Sequence, residues 1–146
     1  TIFLQKKNMY PEEICTPMRE ELISEGFVSL NTAEEVKDLL EKNKGTVLLI
    51  VNSVCGCAAG NARPAVIMST KFNPKVDVFA TVFAGQDKEA TQKAREYMLP
   101  YPPSSPSIAV FKDGSLVHCI ERHHIEGRSA DIIAENLRQC FKDFCN

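Results

Sequence analysis

Two cysteines separated by a single glycine, Cys55-Gly56-Cys57, follow the apolar run Val47 to Val51. The run reads as a buried strand, and the residues after Cys57 read as a helix. Such a junction sets thiols at a helix N-terminus, where unpaired backbone N–H groups and the helix dipole favour the thiolate. The thiolate is the form that attacks disulfides, so thiol–disulfide exchange is the expected chemistry. Cys55, at the strand end, is the expected nucleophile. Gly56 would give the backbone freedom to close the very small ring of a Cys55–Cys57 disulfide, a bond expected to be strained and easily reduced. Two other readings remain open on the residues alone. The pair could be buried core thiols. It could also ligate zinc, with Cys119, His123 or His124 as further ligands.

The elements that must position this pair follow from the apolar pattern. The chain has 146 residues, enough for one domain with its own core. Its 17 Lys and Arg nearly balance its 19 Asp and Glu, giving a net charge of −2, which argues against nucleic-acid binding. No apolar run is long enough to span a membrane, and Thr1 to Pro11 shows no secretory signal. Six cysteines form an even set, yet a chain of this size needs no disulfide staples. A cytoplasmic setting with reduced thiols is the expectation.

Ile14, Met18 and Leu22 recur every fourth residue and predict a helix between Pro11 and Ser24, starting near Pro17. Residues 1–25 thus read as a helical extension to a core spanning 26–146. Phe27 to Leu30 is a short strand. Thr32 and Glu35 form a capping box for a helix that buries Val36, Leu39 and Leu40 and stops at Gly45. The uniformly apolar Val47 to Val51 marks a central strand buried on both faces. The helix after Cys57 should reach about Ser69, kinked or delayed by Pro64. Val76 to Ala84 is another strand. A helix with Ala90, Ala94, Tyr97 and Met98 on one face follows Asp87. Ile108 to Phe111 and Leu116 to Glu121 form a hairpin about Asp113-Gly114. Ser129 caps a last helix burying Ile133, Leu137, Cys140, Phe141 and Phe144. The alternation of strands and helices predicts an α/β domain with a mostly parallel sheet made mixed by the final hairpin.

This order, the cysteine pair at a strand-to-helix junction, and Ser105-Pro106-Ser107 before the hairpin together resemble the thioredoxin fold, a three-layer arrangement with a central mixed sheet of about five strands flanked by helices. The resemblance places a cis-proline at Pro106, beside the cysteines. Thioredoxins carry two residues between their cysteines; this chain carries one. Asn52-Ser-Val-Cys-Gly-Cys-Ala-Ala-Gly-Asn-Ala-Arg-Pro64, Thr81-Val-Phe-Ala-Gly-Gln-Asp87, Tyr101-Pro-Pro-Ser-Ser-Pro106 and Ile125-Glu-Gly-Arg128 resemble the bacilliredoxin family, bacterial thioredoxin-like proteins with a Cys-Gly-Cys site. That resemblance runs from about Met18 to Cys145. It implies removal of bacillithiol, a low-molecular-weight thiol, from mixed disulfides on client proteins, with no organic cofactor. It further implies that the client leaves reduced while bacillithiol stays on Cys55, for Cys57 or a second thiol to release. General protein disulfide isomerase or reductase activity with the same cysteines, and a non-catalytic zinc- or thiol-binding module, are the rival readings.

Several flanking residues join this expectation. A cis bond before Pro106 would offer Ser105 backbone groups to a client peptide, and Ser104 could add a hydrogen bond. Arg63, beside Asn61 in the helix after the cysteines, would meet a carboxylate of the small thiol, raise the local positive potential or form a surface salt bridge. Gly60 would permit close packing or access. Arg122, His123 and His124 end the last strand and could bind an anion. Cys119 and Cys140 read as core, Cys15 is undecided, and Cys145 reads as a mobile terminal thiol with possible redox use.

Overall fold

The computed structural model describes residues 9–145. Its elements are α1 (Glu12–Ile23), β1 (Val28–Ser29), α2 (Ala33–Lys42), β2 (Thr46–Asn52), a π-helical turn (Ala58–Ala62) running into α3 (Arg63–Ser69), β3 (Val78–Phe83), α4 (Lys88–Tyr97), β4 (Ser107–Lys112), β5 (Ser115–Ile120), α5 (Arg122–Ile125) and α6 (Ala130–Phe144). The strands form one sheet in the order β1-β3-β2-β4-β5. β3 runs parallel to both β1 and β2, whereas β4 is antiparallel to β2 and to β5. Asp113 and Gly114, both at positive φ, turn the β4–β5 hairpin as their types predict.

All seven residues of β2 are buried, as a strand covered on both faces requires. Its alternation divides the core. Leu48 and Ile50 join Val66, Leu137 and Phe141 beneath α3 and α6, and Leu49 and Val51 join Val36, Leu40 and Ala94 beneath α2 and α4. The capping box of α2 is formed, Thr32 accepting from the Glu35 N–H while Glu35 accepts from the Thr32 N–H. Ser129 likewise accepts from the Ile132 N–H at the start of α6.

Three boundaries differ from expectation. α1 begins at Glu12 and passes through Pro17. Pro17 and Glu13 both face water, so the Glu13 carbonyl that loses its i+4 donor can be solvated. The buried face of α1 is Cys15 and Leu22, and Ile14 is 49% exposed, so the apolar four-residue spacing marked a neighbouring face. Leu22 packs in the same cluster as Phe27 and Ile50, and α1 is therefore part of the core rather than an appendage to it. Arg122, His123 and His124 form the one-turn helix α5 instead of ending a strand. Pro64 falls at the second position of α3, preceded by the wide turn in which the Arg63 N–H bonds the Ala58 carbonyl. A proline ring clashes with the carbonyl four residues back in a regular helix; the π turn relieves this at Gly60 without breaking the helical path.

Candidate functional site

β2 and β4 bring two chain segments together. Val51 pairs with Ser107, so the cysteine loop leaving β2 lies next to the loop entering β4. The Ser105–Pro106 peptide in that second loop is cis, and Pro106 is buried. Two further cis prolines, Pro74 and Pro100, follow other loops and carry no signal that would have marked them in the sequence.

The sulfurs of Cys55 and Cys57 lie 2.8 Å apart, unbonded and half-buried. The Cys55 carbonyl accepts from the N–H groups of Ala58 and Ala59 at 3.1 and 3.2 Å, which places Cys55 at the mouth of the helix. Ser53 Oγ donates to Cys55 Sγ at 3.2 Å and accepts from the Cys55 N–H at 3.4 Å. Burial pushes the Cys55 thiol up, and this is the largest single effect on it. Hydrogen bonds from Cys57, Ser53 and the Ala58 N–H, with the nearby Arg122 charge, together outweigh burial, and the net shift is downward. Cys57 moves the other way, raised by burial and then by its hydrogen bond and charge interaction with Cys55. Of the two coupled thiols, Cys55 therefore gives up its proton more readily than Cys57.

Gly56 is exposed, has no positive φ, and a Cβ built on it meets nothing within 4 Å. The dithiol form does not itself demand a glycine there. Gly60 is also exposed and open, rather than closely packed.

Arg63 does not reach a substrate. Only 1% of it is exposed, and its guanidinium donates to Asn52 Oδ1 at 2.8 Å, to the Ser53 carbonyl at 2.9 Å and to Glu21 Oε2 at 3.1 Å. It bolts the cysteine loop to α1. The expectation of a surface role failed because the π turn rotates Arg63 inward, which helical spacing from Cys57 could not foretell. Asn61 turns outward and donates to the Ile125 and Arg128 carbonyls, tying the active helix to the segment around α5.

Arg122, rather than Arg63, is the arginine whose charge acts on the cysteines. Its guanidinium donates to the Ser105 carbonyl at 2.9 Å, its N–H donates to Ser104 Oγ at 3.3 Å, and its charge acts on both sulfurs. It also pairs with Glu126 at 3.4 Å. The Ser105 carbonyl expected to be free for a client peptide is thus already engaged. The triplet Arg122-His123-His124 signalled cation density near the end of the sheet, but not which of the three faces the cysteines.

Glu121, His123 and His124 bring possible ligand atoms within 4.8 Å of one another, the only such group of three among the described residues. It contains no cysteine, so the histidines and the Cys55–Cys57 pair are not assembled as one metal centre. The other thiols are withdrawn. Cys15 and Cys140 are buried, and Cys119 is half-buried, its thiol pushed up to about 11 by burial. Cys145 is only 7% exposed and packs in the α3–α6 core, contrary to the mobile terminal thiol expected. The apolar face of α6 carries it inward one residue beyond the helix.

Comparison with known proteins extends this geometry. The family described as Disulphide isomerase matches residues 10–145. A bacilliredoxin of Cytophaga hutchinsonii is 57% identical over 92% of this chain and 99% of its own length. One of Halalkalibacterium halodurans is 48% identical over 93% of this chain and 94% of its own. Among solved structures, the thioredoxin of Fasciola hepatica superposes with a TM-score of 0.56 at 19% identity, covering 81% of this chain and 99% of that one. The oxidised thioredoxin of Plasmodium falciparum gives 0.55 at 20% identity over 79% and 97%. These structures establish a thioredoxin fold.

Proposed function

The chain belongs to the bacilliredoxin family of thiol–disulfide oxidoreductases, and from that premise we propose that it removes bacillithiol from mixed disulfides on client proteins through Cys55 and Cys57. The observation that carries this reading is the pair of sulfurs 2.8 Å apart whose proton affinities are driven in opposite directions. The Cys55 thiolate attacks the bacillithiol sulfur. The bond between that sulfur and the client breaks, and the client thiolate leaves and takes up a proton. Cys57 then gives up its proton and attacks Cys55. Bacillithiol departs as a thiol, and a Cys55–Cys57 disulfide remains. Two electrons have passed from the dithiol to the mixed disulfide, and an external thiol must return them.

Arg122 supports the first step by favouring the thiolate, and Ser53 by donating to it. Raised proton affinity at Cys57 suits a thiol that must wait until Cys55 is consumed. Once Cys55 becomes a neutral disulfide, the anion opposing ionisation of Cys57 is gone.

The test is a trapped adduct. With Cys57→Ser, a client capped by bacillithiol should be released while the small thiol remains on Cys55, read as added mass on the intact protein. With Cys55→Ser, no adduct should form. A dead Cys57→Ser variant with an active Cys55→Ser variant reverses the assignment. The family description itself favours a second reading, disulfide isomerisation by the same cysteines. Equal turnover of a scrambled disulfide protein and a capped protein would support it.

A further inference from the structure

Two adjoining cavities run from the cysteine loop along α4. The inner one, about 300 Å³, is bounded by Ser53 and Ser105; the outer one, about 450 Å³, is bounded by Thr91; Lys88 and Arg95 line both. Neither cysteine lines either cavity; the link to the reacting sulfur is Ser53, which bounds the inner one and whose Oγ lies 3.2 Å from Cys55 Sγ. Their charged lining residues are Lys88, Arg95 and Glu96. Arg95 is half-buried, yet no carboxylate among the described residues pairs with it, in contrast to Arg19, Arg63, Arg122 and Arg138. Its Nε has no hydrogen-bond partner, and its one bond, to the Ser104 carbonyl, is long at 3.4 Å. Glu96, the acid at the outer rim, is engaged by Lys93 at 3.1 Å.

A half-buried guanidinium with no carboxylate partner among the described residues and a single long hydrogen bond favours a further acceptor. A guanidinium fork is suited to a carboxylate. The volumes suit a small molecule rather than a protein segment. We propose that this cavity seats the carboxylate-bearing end of the small thiol in the mixed disulfide, with Arg95 as its anchor, while the sulfur of the same molecule lies at Cys55. The inference rests on exchange at Cys55, and it adds a reason for the enzyme to distinguish one small thiol from another.

The experiment uses one cysteine peptide capped either with mercaptosuccinate, a dicarboxylate, or with mercaptoethanol, which is neutral. Single-turnover release by the reduced protein is followed by mass, and the ratio of the two rates is the readout. Arg95→Gln should lower the ratio of anionic to neutral release by about tenfold, the worth of one charge-assisted contact. Arg95→Lys should recover part of it. An unchanged ratio in Arg95→Gln overturns the proposal, and so does an equal loss on both caps, which would show a structural role. Binding of succinate, which has no sulfur, is followed in parallel by chemical-shift titration of Cys55→Ser with and without Arg95→Gln. If neither cap is released by the wild-type protein but succinate still binds through Arg95, the exchange reading falls and the cavity stands. If succinate shifts nothing near Arg95, the cavity falls whatever the exchange rates.

Discussion

The reactivity of Cys55 is a balance between burial, which resists its ionisation, and four neighbours that favour it. The only formal charge among those four is Arg122, which is also partly solvent-exposed and therefore screened. Arg122→Gln should accordingly move the midpoint of Cys55 alkylation upward in pH, and 1 M salt should move the wild-type protein in the same direction. The sign follows from linkage. A depressed native pKa means that the fold favours the thiolate. The reduced protein gains stability as pH rises from the native Cys55 midpoint to that of an unfolded thiol, and loses this gain on acidification through the native midpoint. An alkylation midpoint that falls in Arg122→Gln would contradict the assignment. Cys55 and Cys57 were legible as a reactive pair from spacing alone. Arg122 was not, because the bond from its guanidinium to the Ser105 carbonyl spans the chain from the β4 entry loop to α5.

At the scale of elements, the strands and their succession along the chain were legible because an uninterrupted apolar run and a turn pair such as Asp113-Gly114 carry local signals. The capping box at Thr32 was legible for the same reason. What escaped was the rotation of the active helix. Pro64 announced irregularity, but whether the chain would kink, start late or widen depends on packing against α1 and α6. The widened turn sends Arg63 inward, where it satisfies Asn52 Oδ1 and the Ser53 carbonyl. Arg63→Met keeps the apolar stem but strands both acceptors, and it should cost about 2–4 kcal/mol of stability, measured by urea unfolding. The cysteine loop should loosen with it, so faster amide exchange at Ser53 and Cys55 is expected before global unfolding. A variant as stable as the parent would show that water replaces the guanidinium.

Across the whole molecule, the thiols fall into two populations. Among the described residues, Cys55 and Cys57 stand in the loop at the end of the central strand β2, while Cys15, Cys140 and Cys145 are sealed in the core and Cys119 is half-covered. A disulfide reagent applied to the folded, reduced protein should meet two fast thiols, with the others reacting only on unfolding; a rapid count of six would deny this packing. Cys119 and Cys140 have thiols pushed up by burial to about 11 and about 12. Both are held neutral by the fold, so their contribution is intact below the unfolded thiol pKa of about 8.5 and drains away as pH climbs toward those values. Melting temperature should therefore decline on the alkaline side, less steeply in Cys140→Ala. The bond from Arg122 to the Ser105 carbonyl has one more consequence. A carbonyl oxygen has two lone pairs, so an extended peptide that docks on this one either shares it with the guanidinium or displaces the cation from the loop. Once displaced, it is free to turn wholly toward the sulfur anion, and arrival of the cargo would then sharpen the very nucleophile that awaits it.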